Sequence, residues 1–365
     1  MRDSSENGPP AFTLPLEGGG VGGGDSSEQG LTLIELLVAL GLFSIVSLAA
    51  FSVLSSSQQA AVMNDQTVQV QQNVRLAMDL VSRDIRMAGF GNPPAGSVAG
   101  CANHINATDN NTAGADTGSD TISVVTVDQE IGTLASGFSN GNVITLNTLP
   151  SDIAVGQVVT LEGIFTAGVS AFNTGTKQLT LVEPGTATPK NILSPVVFAA
   201  GTQVIRLACV SYTVTGSTVT PPFQLLRNNV ALVDGIESLQ LAYAVDADNE
   251  GTIDDQNANN AFDCLDFVPN NTACMQGTTL LAAGTVKTIP SSVNTTPTSA
   301  RQIRITGVGR AIPPAAANVA NNTWKDPTYK SSSAVNVEDQ AIANADGIRR
   351  RTLTRVVSLR DASVL

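Results

Sequence analysis

The sequence predicts an α+β protein: a long N-terminal stem helix, membrane-spanning in its first half, packed on a β-rich head with an antiparallel sheet. Two observations favour the helix. The stretch from Leu31 to Leu54 has 24 residues and a single charge, Glu35, and no proline occurs between Leu31 and Gly91. A third observation favours the head, because short apolar runs alternate with turn residues after residue 90.

The stem helix divides into two halves of different character. Residues 31–54 are long and apolar enough to cross a hydrocarbon core of roughly 30 Å. Residues 55–89 form an amphipathic half, because apolar side chains recur at spacings of three and four. This stripe consists of Val70, Val74, Ala77 or Met78, Val81 and Ile85. Gly89, Gly91 and Pro93 then predict that the helix ends near residue 88.

Residues 90–361 form the predicted head. Aromatic residues make up only 4% of the chain, whereas glycine occurs 32 times, which favours short strands and many loops. The predicted strands are 121–127, 142–146, 157–161, 178–182, 203–207, 209–215, 223–227, 236–245, 301–308 and 348–360. The segments 209–215 and 223–227 are expected to pair as a hairpin. Residues 311–346 are expected to form a loop with an edge strand.

Composition and motifs also limit the classes of function that we expect. Residues 1–30 are rich in glycine and acidic residues and are predicted to be disordered. The net charge of −12 gives no general attraction to nucleic acid, so no direct nucleic-acid contact is expected. The sequence has no Gly-x-Ser-x-Gly elbow and no phosphate-binding Gly-Lys-Ser/Thr loop. Its one histidine, His104, is expected to be an exposed loop residue. We therefore expect no enzyme and assign no catalytic residue.

A glycine, an apolar residue and a glutamate mark the beginning of the stem. They are Gly30, Leu31 and Glu35, followed by residues 36–39 with the sequence Leu-Leu-Val-Ala. This pattern resembles the class III signal of type IV pilins and pseudopilins. The resemblance implies that residues 1–30 are a leader, cut between Gly30 and Leu31. It also implies N-methylation of Leu31 and a role for Glu35 in assembly.

Later segments resemble the PilW-type minor pilins in particular. They are the helix end at 83–91, Cys209 with Tyr212, the segment 225–227, the segment 233–237 with Tyr243, and the basic terminal strand at 349–360. The type II secretion pseudopilin of the J type shares much of this pattern and is the close alternative. A membrane-anchored, calcium-dependent adhesin that never polymerises is a second alternative.

The resemblance implies a minor pilin that takes part in assembly or priming of the type IV pilus, and through it in adhesion, motility or DNA uptake. Such a subunit crosses the inner membrane once, with its head in the periplasm, and reaches the cell surface after assembly. The implied partners are other major and minor pilins through the stem helix, the prepilin peptidase and methyltransferase, and the pilus assembly platform.

An acidic loop in the head resembles a calcium loop. Oxygen ligands recur at alternate positions around a glycine at the sixth position. They are Asp246, Asp248, Glu250, the Thr252 carbonyl and Asp254. The twelfth position is Asn257, so the usual bidentate glutamate is missing. A Ca²⁺ site and a solvated acidic turn both remain open, and no other cofactor is expected.

Four cysteines in a translocated chain predict two disulfides. Cys264 and Cys274 enclose a short loop and are the first predicted pair, which leaves Cys101 and Cys209 as the second. Three adjacent arginines at 349–351 are predicted to form a salt-bridged or subunit-contact surface.

Overall fold

The computed structural model describes residues 32–108, 118–192, 196–217, 220–246, 250, 252–254, 274–276, 279–281, 300–312, 335–337, 340–342 and 348–359. The chain divides into two compact units, Met1–Gln58 and Gln59–Leu365. The finer limits expected from the sequence, 1–30, 31–54, 55–89 and 90–361, stay predictions.

One long α-helix, α1 (Leu33–Arg86), contains 54 residues. It begins directly after Thr32, whose carbonyl and hydroxyl both accept the backbone N–H of Glu35. The chain leaves the helix through Gly89, whose φ of +74° is a conformation that glycine adopts without strain. The prediction of a helix over 31–88 is therefore correct to within two residues at each end.

In the unit Met1–Gln58, α1 is apolar and exposed. Its large apolar side chains are between 53% and 81% exposed, with Leu36 at the lower and Leu33 at the upper value. By length and composition this helix could cross a membrane, since its most apolar window has a mean hydropathy of 2.5. These properties fit a membrane-anchored protein.

In the unit Gln59–Leu365, α1 buries the apolar stripe expected from the sequence. The buried members are Val70, Val74, Ala77, Met78, Val81 and Ile85. They form one core with side chains from two sheets. The amphipathic prediction for this half is confirmed, and the overall class is α+β as predicted.

The described part of the head is built from strands of 3 to 15 residues. They are β1 (Ile105–Thr108), β2 (Thr121–Thr133), β3 (Val143–Thr145), β4 (Val158–Leu161), β5 (Phe165–Asn173), β6 (Gln178–Val182), β7 (Gln203–Ser217), β8 (Thr220–Arg227), β9 (Val230–Asp234), β10 (Ile236–Val245), β11 (Cys274–Gln276), β12 (Thr279–Leu281), β13 (Ala300–Arg310), β14 (Val335–Val337), β15 (Gln340–Ile342) and β16 (Arg350–Ser358). Most of the predicted strands are present, although 203–207 and 209–215 are one strand, β7. The sequence analysis did not predict β1, β5, β9, β11 or β12.

The described part of the head contains two main sheets, and their strand pairs are antiparallel. The larger follows the order β1-β2-β7-β4-β5-β6-β3, with β8 beside β7 and β9 beside β8. The smaller follows β10-β13-β16, and β11–β12 and β14–β15 are separate two-stranded ribbons. The expected hairpin is the β7–β8 pair. A second core lies within the larger sheet, where Leu161, Leu179 and Leu181 are fully buried.

Two glycines of β13 let α1 approach the smaller sheet closely. A Cβ atom on Gly307 would lie 2.9 Å from the Met78 sulfur, and one on Gly309 would lie 2.2 Å from Val74 Cγ2. Neither distance is possible for a real side chain, because carbon atoms pack best at about 3.5–4.0 Å. A side chain at position 309 would therefore displace Val74, and one at position 307 would displace the flexible Met78 side chain.

Candidate functional site

The first turn of α1 positions Glu35 next to the expected processing position. The N–H of Glu35 lies 3.3 Å from the Thr32 hydroxyl oxygen and 3.1 Å from the Thr32 carbonyl oxygen. A capping hydroxyl satisfies one of the N–H groups that a helix start leaves without an intrahelical partner. The Thr-x-x-Glu spacing is that of a capping box. Gly30 and Leu31 lie outside the described residues, so cleavage and methylation there stay predictions.

Glu35 is exposed, and its neighbours on α1 are apolar. It lines a shallow groove on α1 together with Ile34, Val38, Ala39 and Leu42. No side chain of the described residues donates a hydrogen bond to it. A carboxylate without a partner costs roughly 2.5–3.5 kcal/mol at the centre of a bilayer on insertion scales. A positive group from another chain would offset this cost, so the arrangement favours association with a cation.

Near the other end of α1, a buried carboxylate connects the helix to the larger sheet. Asp84 is only 4% exposed. Its Oδ2 accepts a hydrogen bond from the Tyr212 hydroxyl at 2.7 Å and another from Arg227 Nε at 3.0 Å. Burial raises the pKa of the Tyr212 phenol, and the nearby Asp84 carboxylate raises that pKa further. The phenol therefore stays neutral and remains a donor to Asp84.

A second buried carboxylate connects the strands of the smaller sheet. The Glu237 side chain is 0% exposed. Arg350 donates to it twice, from Nε to Oε2 at 2.5 Å and from Nη2 to Oε1 at 2.9 Å. Arg310 Nη1 lies 3.4 Å from Oε1, and the Arg310 guanidinium lies 3.7 Å from the ring centre of Phe223. This bidentate pair crosses β13, which lies between β10 and β16.

Both networks join segments that were named above for their resemblance to the PilW-type minor pilins. The contacts between these segments were not predicted from the sequence. The helix end at 83–91 meets Tyr212 and the segment 225–227, and the segment 233–237 meets the basic strand at 349–360. A signal was present for two of the charges, because Arg227 follows Leu225 and Leu226, and Glu237 lies in a mainly apolar strand, whereas Asp84 lies between two arginines and gave no such signal. A lone charge in such a stretch requires a buried partner, since an unpaired buried charge is costly.

The three adjacent arginines have three different environments. Arg350 is buried with Glu237, whereas Arg351 is exposed. Arg349 Nη1 donates to the Thr67 hydroxyl of α1 at 2.6 Å. The predicted salt bridge is therefore found for Arg350, but it lies inside the head and not on a surface.

One predicted disulfide is present. Cys101 and Cys209 are bonded, across a sequence separation of 108 residues. The bond attaches the loop after α1 to β7. Cys264 lies outside the described residues, as does the side chain of Cys274, so their predicted pairing stays a prediction.

The acidic loop is only partly described. Asp246 is fully buried, and its Oδ2 accepts hydrogen bonds from Arg301 Nη2 at 2.5 Å and Nε at 2.9 Å. Its Oδ1 accepts the Glu250 N–H at 3.1 Å, and the Thr252 hydroxyl contacts the Glu250 carboxylate. Asp254 is half-buried, whereas Asp248 lies outside the described residues. The described part of the chain gathers no three His, Cys, Asp or Glu side chains that could hold a metal ion. The Ca²⁺ site stays a prediction.

The expectation that His104 is exposed is wrong. This residue is 7% exposed, and its Nε2 lies 2.5 Å from the Pro93 carbonyl oxygen. Its own carbonyl accepts the Val125 N–H at 2.8 Å. The loop after α1 folds back against β2, so its histidine has a structural contact that composition alone did not reveal.

Comparison with known proteins bears on the start of the stem. The family model described as the prokaryotic N-terminal methylation motif matches residues 25–51, which include Gly30, Leu31 and Glu35. No curated protein and no solved structure matches the chain. The motif supports a type IV pilin-like protein, that is, a type IV pilin or a pseudopilin. It implies processing by a prepilin peptidase and assembly with other pilins.

Proposed function

We propose that this protein is a minor pilin of the PilW type, a membrane-anchored filament subunit that takes part in assembly or priming of the type IV pilus. One observation carries the proposal: the methylation motif at residues 25–51 covers the start of an exposed apolar helix with Glu35 in its first turn. The protein acts by association and not as an enzyme. Adhesion, motility or DNA uptake would follow from the assembled filament.

On this proposal, assembly transfers α1 from the lipid bilayer into a bundle of stem helices. The exposed apolar side chains from Leu33 to Leu54 exchange lipid contacts for contacts with neighbouring helices. Glu35 pairs with the free amino group that cleavage creates at residue 31 of an adjacent subunit. That pairing is strong where water is excluded, because both charges would otherwise be unpaired. The head then passes from the periplasm to the cell surface.

The two buried networks support the PilW branch. Each contains segments that resemble this branch, and each fixes charges inside the head where they serve the fold. The J-type pseudopilin of type II secretion uses the same stem physics and is the alternative. Neighbouring genes for tip adhesins and minor pilins favour the pilus, and genes for a secretin and a secretion ATPase favour secretion.

Mass spectrometry of the protein from its host tests the processing step. We expect a mature chain that begins with N-methylated Leu31. An intact leader on the protein recovered from sheared filaments would contradict the proposal.

Substitution of Glu35→Ala tests assembly. We expect processing to continue but piliation and recovery of the subunit in sheared filaments to fall strongly, because the partner amine loses its counter-charge. Ser44→Ala is the matched control, since its hydroxyl bonds only the Leu40 carbonyl, at 2.6 Å, in the same apolar half. Normal piliation with Glu35→Ala would favour the adhesin that never polymerises.

A further inference from the structure

A surface cleft of about 540 Å³ lies on the larger sheet beside the disulfide. Its floor comes from β4 and β7, with Val158 and Leu207 both buried. The loop after α1 supplies Val98 and Ala99, and the turn before β4 supplies Asp152 and residues 155–157. The Cys101–Cys209 bond fixes the first of these walls to β7.

An ion triad occupies one side of this cleft. Arg206 contacts Asp128 Oδ2 through Nε at 2.7 Å and Nη2 at 2.6 Å, and it contacts Asp152 Oδ2 through Nη1 at 2.8 Å. The hydrogen bond from Arg206 lowers the pKa of Asp152. Two acidic side chains thus face one guanidinium. The triad therefore has a net charge of −1.

The backbone of β2 is irregular where it supplies Asp128. Val127 pairs with Leu207 and Gln129 pairs with Arg206, so Asp128 is the extra residue of a β-bulge. Bulges redirect side chains, and this one gives Asp128 access to the guanidinium of Arg206.

Most side-chain atoms of the cleft that can still form hydrogen bonds are acceptors. All three nitrogens of Arg206 contact carboxylates, and both contacted oxygens are Oδ2 atoms. No other residue of the described part donates to either Oδ1 atom. Gln157 Nε2 donates a hydrogen bond to the Asp152 carbonyl, whereas Gln157 Oε1 has no hydrogen-bond partner among the described residues.

An apolar side chain lies at the rim. Val155 is 62% exposed and lines the cleft. The long alkyl part of a lysine or arginine packs well against such a surface while its charged end reaches polar groups. The cleft thus offers an apolar contact and negative oxygens, the two features that a basic side chain needs.

We propose that this cleft receives a lysine or arginine side chain from the head of a neighbouring, different pilin subunit. The identity of that partner rests on the proposed function, whereas the chemistry of the cleft does not. An anion would meet the two carboxylates. A basic side chain pairs with the net negative charge and donates to several oxygens at once.

Methyl NMR of the full chain in a neutral detergent tests the chemistry. The probes are N-acetyl-arginine amide and N-acetyl-lysine amide, with N-acetyl-glutamate amide as the anionic comparison. We expect saturable shifts of the Val155 and Val98 methyl signals with the basic probes only. Absence of such shifts, or equal shifts with the anionic probe, would overturn the proposal.

Asp152→Asn is the informative variant, because its side chain is 56% exposed and Arg206 retains Asp128. We expect the dissociation constant of the arginine probe to rise about threefold to fivefold, the factor for losing one exposed ion pair. Glu183→Gln is the matched control, since Glu183 is a 44% exposed carboxylate that pairs with Lys190 outside the cleft. An unchanged constant in Asp152→Asn would overturn the proposal.

A photo-crosslinking residue at Val155 in the host tests the partner. We expect a crosslink to another pilin subunit, and we expect Asp152→Lys to reduce it at least about fivefold through like-charge repulsion. A crosslink that is unchanged by Asp152→Lys would overturn the proposed docking, and a crosslink to a second copy of this chain would overturn the choice of partner. The NMR result does not depend on filament assembly, so failure of the proposed function would appear separately, in the Glu35→Ala experiment.

Discussion

Gly309→Ala should loosen the seam between α1 and the smaller sheet. The new Cβ would lie 2.2 Å from Val74 Cγ2 and 3.2 Å from Val70 Cγ1. Relief requires a movement of more than about 1 Å, because carbon atoms pack best at about 3.5–4.0 Å. The strand is held on both sides, since Gly309 pairs with Ile236 and Arg351.

The helix side offers little more freedom. Val74 is 2% exposed, and a valine in a helix strongly prefers one rotamer. Overpacking of a core typically costs about 1–3 kcal/mol. Replacing glycine in a strand would otherwise gain roughly 0.5–1 kcal/mol. We therefore expect a net loss of about 1–2 kcal/mol in the free energy of unfolding.

Urea unfolding of the full chain in detergent, followed by circular dichroism, measures this loss. Gly175→Ala is the control, because its new Cβ would meet only the flexible Asn173 side chain, at 3.4 Å. Val74→Ala alone should cost roughly 1.6 kcal/mol for two methyl groups, plus a cavity contribution. In the double variant the clash disappears, so its loss should be smaller than the sum of the single losses by on the order of 1 kcal/mol. Additivity within about 0.5 kcal/mol would refute the steric reasoning.

Three further predictions concern the buried groups of the head. Tyr212→Phe should cost roughly 1.5–3 kcal/mol at neutral pH, through the lost bond to a carboxylate. Because the folded pKa of Tyr212 lies above the ordinary 10.0, its contribution to stability is complete below pH 10.0 and declines at higher pH. The urea midpoint of the wild type should therefore fall at alkaline pH, and this fall should be smaller in Tyr212→Phe. An equal fall in both proteins would contradict this. Glu237→Gln should cost about 3–5 kcal/mol, since two buried arginines lose their counter-charge, and a change below about 1 kcal/mol by urea unfolding would contradict the burial argument. Replacing Cys101 and Cys209 by serine should lower the free energy of unfolding by roughly 3–5 kcal/mol, because the bond closes a long loop. As an internal check, this variant should have the same unfolding midpoint as the reduced wild type.

The stem was predictable from sequence because its signals are local. The apolar run, the absence of proline and the three–four spacing define a helix over 54 residues without knowledge of the head. The alternating strands were predictable for the same reason. In contrast, β5 and β9 have no clear alternation, since β9 exposes Val230 and Leu232 while β5 contains Gly168. Neighbouring strands, and not their own pattern, place these segments in the sheet.

Some contacts of the candidate sites could be inferred from the sequence, and others could not. Thr32 and Glu35 are close in sequence, so their cap could be inferred from the Thr-x-x-Glu spacing, although the predictions above did not include it. The Arg206 triad required two strands and a turn to be placed in three dimensions, and a bulge to redirect Asp128. Nothing in the local sequence around these residues marks them as neighbours.

Two kinds of carboxylate in the described part of this protein have different physical consequences. Asp84 and Glu237 are buried with partners inside the same chain, so they fix how α1 and the strands pack. Glu35 has an apolar surrounding and no described partner within the chain. A folded chain tolerates the first arrangement alone, whereas the second becomes favourable only when a cation from another chain arrives. The Glu35 carboxylate is therefore the charge whose removal should impair assembly while leaving the fold of the head intact.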